Sequence, residues 1–324
     1  MRRSSICSMA AGCRYPALRL KLRASLAQAA LRGHTDTMPD MPELILECGD
    51  WRAQVVPQGG LLGALDHRGV AVMRPMTAGA TSPLEAACFP MVPWCNRIAN
   101  ARFMWENTAT WLARNFMPER HAIHGHGWQS EWSVAELDQG TCMMTHSHDG
   151  AAPGWPWAYV AKQTIRLSDA GCTVTLALTN LSERLMPAGI GLHPYLRRRP
   201  ESRVAFRSGP IVAVGADMIP SGAHMPPNHF ADFAADGGAA LPQNGIVIDH
   251  CYTGWHGAAL VTDNSGTITL QAEGAGHLHL YAPEDPSILC LEPVNHLPDA
   301  ANTGGMPLIA PGETESLSLR IGVL

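Results

Sequence analysis

The chain has 324 residues, 46% of them apolar and 16% charged, with a net charge of −5. That balance argues against a nucleic-acid binder, which presents a basic surface, and with no run of about 18 apolar residues nothing reads as a membrane span. The length admits two domains, although all-β folds of about 200–250 residues commonly form one.

The first 35 residues differ from the rest. Arg2, Arg3, Arg14, Arg19, Lys21, Arg23 and Arg32 occur there, with no acidic residue before Asp36. Leu18, Leu22 and Leu26 make a weak helical stripe, but charges interrupt every candidate for the apolar core of a secretory signal. The segment reads as a disordered extension, as an Arg-rich transit-like helix, or as a start assigned too early, with Met38 or Met41 as the true beginning. The expected organisation is therefore an extension over 1–40 and one domain over 41–324.

From Met41 onward the periodicity is that of β-strands. Apolar and polar residues alternate over 172–180 (CTVTLALTN), 267–272 (TITLQA), 277–281 (HLHLY) and 317–321 (LSLRI). Alternation of this kind predicts strands with one buried and one wetter face. The 31 glycines and 25 prolines cut the chain into short runs, and no long amphipathic helix emerges. The pattern predicts an all-β sandwich or barrel. Nine cysteines, Cys7, Cys13, Cys48, Cys88, Cys95, Cys142, Cys172, Cys251 and Cys290, are scattered singly. An odd count without a CxxC pair, in a chain this large, predicts reduced thiols and a cytoplasmic location.

Polar chemistry collects in segments that break the strand pattern: 89–103 (FPMVPWCNRIANARF), 121–132 (HAIHGHGWQSEW), 189–196 (GIGLHPYL), 248–255 (IDHCYTGW) and 289–302 (LCLEPVNHLPDAAN). Glu292 ends an apolar run, where a carboxylate is costly unless it is paired or does chemistry. It is either a strand-end glutamate paired with an arginine or a reacting group. His193 precedes Pro194, which restricts its backbone to an extended form. It is either a core histidine bonded to backbone or a general acid or base. His121, His124 and His126 admit a metal reading, against which stand Gly125 and Gly127, which indicate a loop, and the lack of an acidic partner nearby. Asn96 and Arg97 offer an amide and a planar donor fork suited to vicinal hydroxyls. Trp94, Trp128, Trp155, Trp157 and Trp255 either stack on sugar C–H faces or simply pack.

Taken in order, PMVPWCNRIANARF, AIHGHGW, GLHPYL and LEPVNHLPDAAN resemble the four signature segments of the aldose 1-epimerase (galactose mutarotase) family. The resemblance implies a galactose mutarotase-like super-sandwich of antiparallel sheets, with Glu292 as general base and His193 as general acid. It also implies Asn96, Arg97, His124 and Asp249 as sugar-binding residues, with no metal or cofactor and a small sugar as partner. His126 and Trp128 lie where the family varies, so substrate preference stays open. The implied reaction removes a proton from the C1 hydroxyl and delivers one to the ring oxygen. An ionised carboxylate opposite a protonated imidazole gives suitable starting states. The rival readings are a glycosidase using Glu292 and Asp249, a non-catalytic carbohydrate-binding protein, and a hexose-6-phosphate mutarotase whose phosphate would meet Arg197, Arg198 and Arg199.

Overall fold

The computed structural model describes residues 44–324 apart from 81, 152–153 and 243–244. The expected 1–40 extension lies outside the described residues. The regular structure of the described chain is almost all strand, paired antiparallel chiefly into two large sheets. The one α-helix among the described residues is the single turn Ala300–Thr303. No helix there is long and apolar enough to cross a membrane.

The smaller sheet runs in the order Ser133–Leu137, Thr141–His148, Tyr159–Ser168, Gly171–Asn180, Thr314–Val323, Gly266–Glu273, Ala258–Asp263, Arg203–Phe206 and Ala239–Ala240. Its periodicity is the one expected from sequence. In Gly171–Asn180, Cys172, Val174, Leu176 and Leu178 are buried, while the threonines between them are half-buried. Leu317, Leu319 and Ile321 answer them from the neighbouring strand. These side chains share one continuous apolar cluster with Leu46, Val55, Leu65, Leu192, Leu278, Leu280 and Leu291 of the larger sheet. The two sheets therefore meet face to face over that core.

The larger sheet departs from simple alternation. Its order is Leu44–Cys48, Trp51–Val56, Leu61–His67, Cys88–Met91, Gly191–Pro194, Cys290–Val294, His277–Ala282, Ile248–Tyr252, Ile211–Val214 and Pro220–Met225, with Val70–Ala71 paired to Leu61–His67. Cys88–Met91, Gly191–Pro194 and Cys290–Val294 are buried at every position. Central strands lose their wet face when something covers it. Here that cover includes a second apolar cluster containing Leu61, Phe89, Met91, Cys95, Ile123, Trp128, Tyr195, Cys251, Cys290 and Val294. The topology also brings residues about 100 positions apart in sequence onto adjacent strands, and so assembles the polar segments in one place.

Cys88, Cys95, Cys142, Cys172, Cys251 and Cys290 are buried and outside any disulfide.

Candidate active site

Strand register alone predicts which side chains meet. Gly191 pairs with Val294 and Tyr195 with Cys290, so His193 falls opposite Glu292. His193 also pairs with Phe89, Glu292 with His279, and His279 with Cys251. Directly opposed residues share a face. Five strands thus deliver Phe89, His193, Glu292, His279 and Cys251 to one rung on the face turned away from the main core. Asp249, two residues before Cys251, joins them on that face.

The contacts follow from this register. His193 Nε2 lies 3.3 Å from Glu292 Oε1, with both side chains buried. The partner of Glu292 is an imidazole, not the arginine of the bland sequence reading. His193 is not backbone-bonded through its other nitrogen, since Nδ1 is buried without a partner. Ring packing holds the imidazole instead. Phe89 packs against the ring at 4.4 Å and Tyr195 at 4.8 Å, with those two rings 6.3 Å from each other. Trp128 stacks beyond Phe89 at 5.3 Å, and the Arg74 guanidinium sits 3.7 Å over the Tyr195 ring. The four rings and the cation form one contiguous cluster, with cation–π attraction at its Tyr195 edge.

Charged groups alternate in sign along a second line. Glu119 Oε2 accepts from Arg97 Nε at 3.0 Å, and Arg97 Nη1 lies 3.7 Å from Asp249 Oδ2. Asp249 Oδ1 accepts from His279 Nε2 at 2.7 Å, and His279 faces Glu292 across the strands. Burial opposes charge on His279, but Glu292, the Asp249 bond and Cys251 override it and hold its pKa well above the ordinary value. Asp249 also resists ionisation through burial, yet His279 and Arg97 keep its pKa below the usual range. Asn96 Nδ2 approaches His279 Nδ1 at 3.4 Å. A protonated ring donates from both nitrogens, so this is a contact and not a bond, and the amide hydrogens stay available.

The His193–Glu292 pair differs from the starting state expected from sequence. Burial pushes Glu292 up to about 8, although His279 pulls the other way. Burial, helped by the His279 charge, pulls His193 down to about 3. At neutral pH the pair still holds one proton, but it rests on the carboxyl and leaves the imidazole neutral. Such coupled groups titrate as a unit.

Loops complete the site. Asn96 N–H donates to His124 Nδ1 (3.2 Å) while His124 N–H donates to the Asn96 carbonyl (3.0 Å), each residue in a left-handed backbone conformation. His124 is buried and held well below its ordinary pKa by desolvation and by His193. It is therefore neutral, and with Nδ1 accepting, its proton belongs on Nε2. Gly125 lets this loop pass so close to Val92 that a Cβ would stand 2.0 Å from the Val92 carbonyl oxygen.

The three histidines of the metal reading use their nitrogens separately. His121 Nδ1 accepts from Asn100 N–H at 2.9 Å, and His126 packs against Trp94 and His148. The tryptophans resolve toward packing: Trp94, Trp128, Trp155 and Trp157 are no more than 2% exposed, and Trp255 is 5% exposed. Arg197 is bidentate to Asp263 (3.0 and 3.3 Å). Arg199 reaches the same carboxylate at 3.6 Å, and Arg198 donates to the Ile288 carbonyl. Six of the predicted residues (Asn96, Arg97, His124, His193, Asp249, Glu292) thus belong to one connected cluster. Sequence reasoning missed His279, Glu119, Phe89 and Tyr195. A signal for His279 existed: a hairpin turning near Pro286 pairs residue 279 with 292, as the observed register does.

The sequence matches the family model described as aldose 1-epimerase over residues 44–322. An uncharacterized Escherichia coli K12 protein, YphB, is 28% identical over 293 residues, covering 85% of this chain and 97% of its own. The crystal structure of an E. coli K12 protein provisionally assigned as an aldose 1-epimerase superposes with a TM-score of 0.78 at 26% identity, covering 87% of this chain and 99% of its own. A galactose mutarotase-like protein from Clostridium acetobutylicum gives 0.77 at 17% identity, covering 86% and 94% respectively.

Proposed function

The chain belongs to the aldose 1-epimerase family, and we propose that it interconverts the α and β anomers of a free aldose by acid–base ring opening and closure. The observation that carries this reading is the 3.3 Å contact between His193 Nε2 and Glu292 Oε1, packed against the Phe89 and Tyr195 rings and holding one proton.

Transfer of the proton from Glu292 to His193 across that contact yields a carboxylate base and an imidazolium acid without exchange with solvent. The His279 cation on the next strand lowers the cost of the carboxylate. Glu292 then takes the C1 hydroxyl proton, His193 protonates the ring oxygen, and the ring opens to the aldehyde. Rotation about C1–C2 and closure by the reverse transfers give the other anomer. Nothing is oxidised, and the pair returns to its original proton count. Asn96, through its amide hydrogens, and His124, through Nε2–H, are donors for sugar hydroxyls, while Arg97 and Asp249 orient the cluster and accept or donate at its edge.

A free sugar is favoured over a phosphorylated one because Arg197 and Arg199 are committed to Asp263 and Arg198 to backbone carbonyls. A glycosidase reading loses Asp249 as a free second carboxylate, since His279 holds it. Polarimetry or NMR exchange on freshly dissolved anomers, across free and phosphorylated aldoses, tests the proposal. Acceleration with free aldoses is expected; no acceleration with any sugar of the panel would sink it.

A further inference from the structure

Ring opening leaves one polar group beside the proton-sharing pair without a task, the thiol of Cys290. Cys290 and Glu292 are two residues apart on the strand Cys290–Val294, so both side chains project toward His193. His193, Cys290 and Glu292 each offer one ligand atom, and the three atoms lie within 4.8 Å of one another.

We propose that His193, Glu292 and Cys290 form a binding site for a thiophilic divalent cation of the zinc type, and that the ion inhibits the enzyme by taking the place of the shared proton. The binding half of this inference stands on geometry; the inhibition half rests on the mutarotase reading above.

Bonds of about 2.0–2.3 Å to a tetrahedral zinc ion place its donors about 3.3–3.8 Å apart. The nitrogen–oxygen pair already has that spacing at 3.3 Å, so only the sulfur must close in, a movement on the scale of a side-chain adjustment. Imidazole, carboxylate and thiolate are the donor types that zinc combines, and three protein donors leave a fourth position for water or a sugar hydroxyl.

The charge balance answers the objection that a buried corner resists a dication. Binding displaces two protons to solvent, one from the Cys290 thiol and one from the His193–Glu292 pair. Two positive charges enter as two leave, so the net charge of the corner is unchanged. The neighbouring His279 cation is offset by Asp249 at 2.7 Å. His193 Nδ1 lacks the hydrogen-bond acceptor that usually supports a ligating imidazole. That gap fits a reversible inhibitor better than a permanent structural ion.

Cadmium is the probe, because its bond to a thiolate gives an ultraviolet charge-transfer band. Titration of the full chain with Cd²⁺ is expected to give a band saturating at one ion per chain. The band should disappear in Cys290→Ser and persist in Cys251→Ser, whose thiol lies on the same face. Zn²⁺ should slow mutarotation in the wild type, and at least tenfold more should be needed in Cys290→Ser, whose rate without metal is unchanged. A band that survives in Cys290→Ser, or that depends on Cys251, overturns the site. Should Cys290→Ser fail to fold, His193→Asn retains the thiol, and undiminished cadmium affinity there overturns it equally. A chain that binds cadmium in this pattern yet accelerates no anomer exchange would refute the enzyme reading and leave the metal site standing.

Discussion

The two faces of the larger sheet are made by the same strands and solve opposite problems. On the core side, Leu192, Leu278, Leu280 and Leu291 are fully buried among apolar neighbours. One residue along each strand, His193, His279 and Glu292 are almost as buried, yet carry titratable groups. Burial of the leucines stabilises the fold through apolar area removed from water. Burial of the polar set costs stability and is tolerated because each charge has a partner or a shared proton. The difference separates where the molecule gains its stability from where it keeps its reactivity, and substitutions on each side should separate the two properties.

The largest effect is expected on the polar side. Glu292→Gln or His193→Ala should lower turnover by at least about 10²-fold, the usual contribution of a positioned acid or base, while thermal unfolding stays cooperative. Near-normal polarimetric rates in both variants would remove the assignment. On the apolar side, Leu280→Ala should reverse the pattern. It should cost about 2–5 kcal/mol of stability in denaturant titrations with turnover per folded molecule unchanged; a loss of turnover without a loss of stability would erase the division between the faces.

Smaller effects follow from pH. Glu292 has a raised pKa in the folded chain, so between its ordinary value and about 8 the unfolded chain is ionised there while the folded chain is not. Stability is therefore lost as pH rises through that window. Glu292→Gln should become progressively more stable than the wild type from about pH 4.5 to about 8, measured by melting temperature across buffers. Turnover of the wild type should fall above about pH 8 as the pair gives up its one proton. Removing the cation that opposes this shift, in His279→Asn, should move that alkaline limb to higher pH. A limb that stays fixed would show that His279 does not act on Glu292.

Much of this was legible in the residues. The strands Gly171–Asn180 and Thr314–Val323 announce themselves by period two, because one of their faces meets the core and the other is wetter. Pro194 and the glycines of GIGLHPYL mark His193 as presented from an extended backbone, and it stands there. Two things were hidden. The stretch HLHLY alternates like any half-buried strand, so His279 reads as a solvent-side residue until a covering layer is known. The resting place of the shared proton is also hidden, because it depends on desolvation, which a sequence does not display. The same applies to the tryptophans: their residue type permits sugar stacking, and only packing shows that neighbours occupy their faces.

The row Glu119, Arg97, Asp249, His279 constrains how this protein can vary. Neutralising one member leaves its neighbours with an unanswered charge, and reversing one places like signs side by side, so isolated replacements carry a penalty that paired ones escape. Four positions scattered between residues 97 and 279 are bound into a single heritable unit, and drift within it should proceed by compensated steps.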